Sequence, residues 1–191
     1  MTHDTTPLRP TKPLLIGLTG RAGAGKSTVA RMLGDYAFME LAFADPIVDM
    51  VGALFSLSGI DGAWMVERSL KEQPTTLGVS YRQLAQVIGT DICRHITADF
   101  WLRVMALRLQ AAELREENVV ISDVRFPNEA DWITARGGIV IRVLRNDLAP
   151  VRPHASEAHT DLLPVTTELL NFGSLATLQD QVERLVQTLR I

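Results

Sequence analysis

Residues 14–36 read LLIGLTGRAGAGKSTVARMLGDY, and this stretch decides the fold. LLIGLT, residues 14–19, is a short apolar run of the kind that forms a buried strand. It breaks into Gly20, four residues, then Gly25-Lys26-Ser27, the pattern G-x-x-x-x-G-K-[ST]. A loop that wraps a phosphate turns its backbone N–H groups inward, and a Cβ resists the conformations required. Gly20, Gly23 and Gly25 permit them, and Ala22 and Ala24 are small enough to stay clear. The helical pattern over 26–36 then points its positive end at the anion. Lys26 adds a mobile cation for the outer phosphates, Ser27 a hydroxyl for magnesium, and Thr28 a contact to the inner phosphate. The run Gly20, Arg21, Ala22, Gly23, Ala24, Gly25, Lys26, Ser27, Thr28 is therefore the expected site of a nucleoside triphosphate with Mg2+.

Four more segments read as buried strands: MELAFA (39–44), NVVISD (118–123), GIVIRV (138–143) and ELLNF (168–172). Near-continuous apolar runs suit parallel strands covered on both faces. Helical patterns alternate with them, over 26–36, 45–57, 81–95, 99–116, 127–136 and about 174–189. In the last, Leu175, Leu178, Val182, Leu185, Val186 and Leu189 make one stripe. The alternation predicts an α/β, three-layer fold with a mostly parallel, five-stranded sheet. The stretch from about 45 to 117 is longer than a crossover needs and reads as a helical insert at the carboxyl edge of the sheet, where such sheets bind ligands. RNDLAPVRPHASEAHTDLLP (145–164) is too polar and proline-rich for a core and reads as a small lid. Residues 1–13 read as a flexible tail, and 14–191 as a single domain.

The bulk composition agrees. The chain has 191 residues, 47% apolar and 21% charged, enough for one buried core. The formal net charge of −3 argues against nucleic acid as a partner for the whole surface. No stretch reaches the length of a membrane span, and no signal-peptide core is present at the N-terminus. Cys93 is the one cysteine, which excludes an internal disulfide and fits a reducing, cytoplasmic setting.

A second acid is expected at the end of another strand to hold magnesium through water, and Asp123 follows VVIS. Arginines gather where an acceptor phosphate would need them: Arg82 and Arg94 in the insert, Arg125 after Asp123, and Arg142, Arg145 and Arg152 around the lid. A planar guanidinium binds phosphate through two parallel hydrogen bonds.

With those residues in view, the chain resembles the phage-type deoxynucleoside monophosphate kinases, within the P-loop nucleoside monophosphate kinase group. The resemblance covers nearly everything after residue 13. LIGLTGRAGAGKST, LAFADPIVDM, SYRQLAQVIGTDICR, DFWLR, VVISDVRFPNEADWI and NFGSLATL carry it, and SDVRFPNEAD with RQLAQVIGT is its specific part. It implies a P-loop NTPase fold and ATP-dependent phosphorylation of a deoxynucleoside 5′-monophosphate to the diphosphate. It implies that Asp45 faces the acceptor, that Arg82, Gln86 and Arg94 line its site, and that Arg125 meets its phosphate while Asp123 serves magnesium. Lys26, Arg125 and Asp45 would then be the catalytic set. Glu129 is expected on sugar or base, Asn171 and Gly173 against the adenine of ATP, and Arg145, Arg152 and His154 in the lid. Trp101 and Trp132 could stack on a base, with Trp101 kept among the acceptor-site candidates; both lie on apolar helical faces, so core packing is the favoured reading. A homodimer and a host bacterial cytoplasm also fit the resemblance.

Other readings of the residues stay open. Kinases of another small acceptor, such as dephospho-coenzyme A, share the loop and an Asp after the second strand. A nucleotide-dependent switch without an acceptor would use the same loop. His154, Glu157 and His159 match no metal-ligand spacing. Trp64 carries no assigned role.

Overall fold

A computed structural model describes residues 13–67, 69–146 and 160–189. The chain forms two compact units, Met1–Ala42 with Leu107–Ile191, and Phe43–Ala106.

The first unit is built on a five-stranded sheet. Its strands are β1 (Leu15–Thr19), β2 (Phe38–Leu41), β3 (Asn118–Ile121), β4 (Ile139–Leu144) and β5 (Thr167–Leu170). They lie in the order β2-β3-β1-β4-β5, and every pairing is parallel. β1 is central, with Gly17 level with Ile121 of β3 and Val140 of β4. The apolar runs of β1, β3 and β4 are buried because helices cover both faces. On one face α1 (Lys26–Gly34) and the C-terminal helix pack Val29, Leu33, Leu178, Val182 and Val186 against Ile16, Leu18, Val120 and Ile141. On the other face stands α7 (Pro127–Thr134). A Cβ on Gly17 would lie 2.6 Å from its Ile133, so glycine there lets helix and sheet approach closely. The result is the expected three-layer α/β fold.

The second unit is helical. It contains α2 (Asp45–Leu57), α3 (Ala63–Val66), α4 (Tyr81–Gln86), a π turn at Val87–Ile92, α5 (Cys93–Ile96) and the start of α6 (Phe100–Glu113). Pro46 sits in the first turn of α2, where its missing N–H costs nothing. α4 opens with a reciprocal cap: Gln83 N–H donates to Ser80 Oγ, and Ser80 N–H to Gln83 Oε1. Val51, Phe55 and Cys93 are buried, and Phe55 meets the Tyr81 ring edge-on at 6.4 Å. This unit ends at Ala106, before the expected limit at 117, because the second half of α6 belongs with the sheet. There Leu109 and Ala112 are buried, and Arg108 Nη1 donates to the Ala42 carbonyl at 2.8 Å. The C-terminal helix, Leu175–Leu189, is α8.

Candidate active site

The site begins where β1 stops. Gly20 has φ +134°, and a Cβ there would collide with the Val143 carbonyl of β4. Only glycine lets the loop leave the sheet at this point. Gly25 has φ +106° and stands at the N-cap of α1 with no side chain capping the first turn. The first amide N–H groups of α1 are thus offered to a ligand, in the geometry that favours an anion. Ala24 is buried in the core beneath the loop, while Ala22 points outward.

Lys26 folds back inside the loop it terminates. Its Nζ donates to the Gly20 carbonyl at 2.7 Å and the Arg21 carbonyl at 3.0 Å. From the far side, Asn171 holds the loop. Its Nδ2 donates to the Ala24 carbonyl at 2.9 Å, and its backbone N–H to the Leu144 carbonyl at 2.8 Å. A Cβ on Gly25 would stand 2.5 Å from that Nδ2, so glycine, already at φ +106°, leaves room for the Asn171 amide to reach the loop.

A cleft of about 500 Å3 opens over this frame. Gly23, Gly25, Lys26, Ser27 and Thr28 form one side, and Arg145, Asn171, Phe172, Gly173 and Leu175 the other. The size suits a nucleotide-sized ligand. Residues predicted from distant parts of the sequence, the loop and the 171–173 turn, therefore meet in one place. Arg145, expected in the lid, lines the same cleft. Phe172 was not among the expected site residues, and Leu175, expected on the apolar stripe of the last helix, is instead 63% exposed; both add apolar surface beside the charged loop.

Arg21 does not line the cleft. Its Nη2 and Nε both donate to Asp161 Oδ2, at 2.6 and 2.9 Å. That hydrogen bond, helped by the carboxylate charge, raises the guanidinium pKa further above its ordinary value. Arg142 ties the same part of the chain to the sheet, with Nη2 on the Leu163 carbonyl at 2.6 Å and Nη1 on Glu168 at 3.0 Å.

At the carboxyl end of β3 the backbone fixes Asp123. Ser122 N–H donates to the Leu41 carbonyl of β2 and Val124 N–H to the Leu18 carbonyl of β1. The half-buried Asp123 is thereby held at the edge of the strand next to the loop strand, as the sequence predicts. Arg125 follows in the connection to α7. Glu129 corrects an expectation. It is only 2% exposed, and its Oε2 accepts the N–H groups of Arg125 at 2.8 Å and Phe126 at 3.1 Å. Its carboxylate serves the first turn of α7, where an acid also complements the helix dipole.

Trp101 takes the core-packing reading that its apolar helical face favours, and leaves the acceptor-site candidates. It is 3% exposed, and its Nε1 donates to the Gly89 carbonyl at 2.7 Å. The ring packs in the helical unit and offers no face to a base. Trp132 is covered by Arg136, whose guanidinium carbon lies 3.8 Å from the ring centroid.

Asp45, Arg82, Gln86 and Arg94 all lie in the helical unit. Asp45 is the first residue of α2. Arg82 forms an ion pair with Glu72, and Arg94 Nη1 reaches the Ala98 carbonyl at 3.5 Å. Cys93 is buried, and burial pushes its thiol pKa up. Arg152, His154, Glu157 and His159 fall outside the described residues, as does most of the expected lid. Among the described residues no three His, Cys, Asp or Glu side chains are grouped to hold a metal ion, and no helix is long and apolar enough to cross a membrane.

A parallel sheet with a glycine loop feeding the N-terminus of α1 defines a P-loop kinase-like nucleotide-binding protein. Solved structures agree on the fold. A Thermus thermophilus protein superposes with a TM-score of 0.52 at 21% identity, covering 93% of this chain and 98% of its own. A dephospho-CoA kinase from Campylobacter jejuni superposes with a TM-score of 0.51 at 15% identity, covering 91% and 96%.

Sequence relationships are narrower. Residues 65–182 match the family model for deoxynucleotide monophosphate kinase. A protein of Acanthamoeba polyphaga mimivirus, assigned as a deoxynucleotide monophosphate kinase, is 37% identical over 161 residues, spanning 75% of this chain and 80% of its own. The deoxynucleoside-5′-monophosphate kinase of Escherichia phage T5 is 23% identical over 225 residues, spanning 83% and 89%. The chain belongs to the deoxynucleotide monophosphate kinase family.

Proposed function

We infer that this chain transfers the terminal phosphoryl group of ATP to a deoxynucleoside 5′-monophosphate, giving ADP and the diphosphate. Membership of the family supports the reaction, and the cleft in which the glycine loop faces Asn171, Phe172 and Gly173 supports the donor site. The phosphates would lie on the amide N–H groups at the start of α1, with Lys26 leaving the Gly20 and Arg21 carbonyls to meet the outer ones. The purine would lie on the side of Phe172 and Leu175.

The donor set fits magnesium. Ser27 and Asp123 offer oxygen only, and magnesium is commonly held by one or two such groups with substrate phosphates and water. When bound, the ion would neutralise charge on the transferring group.

The chemistry asks little else of the side chains. An acceptor phosphate oxygen is already an anionic nucleophile at neutral pH, so no general base is needed. The work is to align two anions that repel each other. Lys26 and Arg125 are proposed to act on the phosphates, and Asp45 to orient the acceptor. Arg82, Gln86 and Arg94 are proposed to bind the acceptor monophosphate, and Arg145, Arg152 and His154 to close over the donor. A cytoplasmic enzyme acting on free nucleotides, without nucleic acid, is the setting this implies; a homodimer remains part of the proposal.

The test is a panel of ribo- and deoxynucleoside monophosphates, with dephospho-coenzyme A added, each incubated with ATP and magnesium. Formation of a deoxynucleoside diphosphate supports the reading. Phosphorylation of dephospho-coenzyme A alone, or ATP hydrolysis indifferent to every acceptor, overturns it.

A further inference from the structure

Arg82, Gln86 and Arg94 share a stretch of helix that is not regular. α4 runs into α5 through the π turn at Val87–Ile92. A single π turn acts on the flanking helix as a one-residue insertion. Its effect on phase comes from helix geometry. In an unbroken α-helix, at about 100° per residue, residues twelve apart stand roughly 120° apart around the axis. With one residue absorbed by the π turn they stand as if eleven apart, about 20°. Arg82 and Arg94 are twelve apart, and Gln86 is one turn, about 40°, from Arg82. The π turn therefore carries Arg94 from the flank of the helix onto the face that holds Arg82 and Gln86.

Burial reports the same shift independently. Tyr81 and Cys93 are also twelve apart, and both turn inward: Tyr81 against the Phe55 ring, Cys93 to 8% exposure, with Gly89 buried between them. An unbroken helix would not bring these positions to one face.

Two features hold the turn. The Trp101 indole N–H satisfies the Gly89 carbonyl at 2.7 Å. Glycine also lets Ile47 close on the turn: a Cβ on Gly89 would stand 2.7 Å from Ile47 Cδ1 and push that side-chain end aside.

We propose that the Val87–Ile92 π turn, fastened by Trp101, is a positioning element that sets Arg94 in phase with Arg82 and Gln86 to receive the phosphate of the nucleoside monophosphate. This rests on the acceptor reading of those three side chains. The test is steady-state kinetics with the four common deoxynucleoside monophosphates assayed separately, recording KM for the monophosphate, KM for ATP and kcat.

Arg94→Ala examines the acceptor reading itself. KM for the monophosphate should rise about 10- to 100-fold with KM for ATP within about twofold. An unchanged monophosphate KM would sink that reading and the proposal with it. Trp101→Phe examines the turn, and should raise the monophosphate KM about 5- to 10-fold while sparing ATP. Deleting Thr90 removes the inserted residue, so the helix becomes regular while Arg94 keeps its phase. That deletion should leave the monophosphate KM within about threefold of the parent, and should restore it in the Trp101→Phe chain. If Arg94→Ala behaves as expected but the deletion raises KM as much, fails to rescue Trp101→Phe, or unfolds the chain, the acceptor reading stands and the π-turn proposal falls.

Discussion

Replacing Asn171 with alanine probes how the phosphate loop is held. The side chain spends its Nδ2 on the Ala24 carbonyl at 2.9 Å, a neutral, part-buried hydrogen bond. Such a bond contributes about 0.5–1.5 kcal/mol net. The turn around residue 171 should survive its loss, because the Asn171 backbone N–H stays on the Leu144 carbonyl at 2.8 Å. What is lost is the brace on the loop apex between Gly23 and Gly25, so the ligand must supply that ordering itself. If the whole cost falls on binding, affinity drops about 2- to 13-fold. Isothermal titration calorimetry with magnesium can measure this for a non-hydrolysable ATP analogue and for inorganic tripolyphosphate. The two ligands should lose the same factor, since the brace orders amide groups around phosphates and touches no base. A loss confined to the ATP analogue would show that Asn171 reads adenine directly, and would refute the bracing argument. No loss for either would show that the bond carries no load.

Lys26→Met should reduce kcat by at least about 10²–10³ while circular dichroism stays unchanged, because it removes a preorganised cation from the developing charge; full turnover in that variant would contradict the loop assignment. Glu129→Ala should destabilise the chain by about 3 kcal/mol in urea titrations, since two backbone N–H groups lose a charged acceptor. A higher acceptor KM at undiminished stability would instead return Glu129 to the substrate. Burial raises the Cys93 thiol pKa, so its contribution to stability is complete below the ordinary thiol range and fades as pH rises through the raised value. Native protein should accordingly resist iodoacetamide at pH 8 and react readily in denaturant; equal rates would place Cys93 at the surface.

The sheet was legible because its strands carry their own signal. LLIGLT, NVVISD and GIVIRV are apolar nearly end to end, as strands sandwiched between helices must be, and they form β1, β3 and β4 within two residues of the expected limits. The triphosphate loop was legible because its constraint is local: Gly20 and Gly25 are required by backbone angles and near neighbours fixed by a short run of chain. What the sequence hid depends on tertiary partners. Glu129 is expected on the acceptor's sugar or base until its carboxylate is seen under two N–H groups. Trp101 lies on an apolar helical face that favours core packing, but its hydrogen-bond partner, the Gly89 carbonyl, is set by tertiary structure. The π turn leaves no periodic trace: Val87–Ile92 (VIGTDI) is rich in β-branched residues with one glycine, weak helix formers that do not specify a π turn, and the extra residue shows only in the phase of the residues beyond Ile92. The ion pair of Arg21 with Asp161 joins residues 140 positions apart, beyond any local pattern.

The central claim is that phosphates curl into the loop at the start of α1 and are passed to a second phosphate. It is tested most directly by following the label from γ-32P-ATP with magnesium and each deoxynucleoside monophosphate. Label should appear in a deoxynucleoside diphosphate, in step with ADP, and only when the matching monophosphate is present. Label released solely as inorganic phosphate, at a rate no monophosphate alters, would contradict the account.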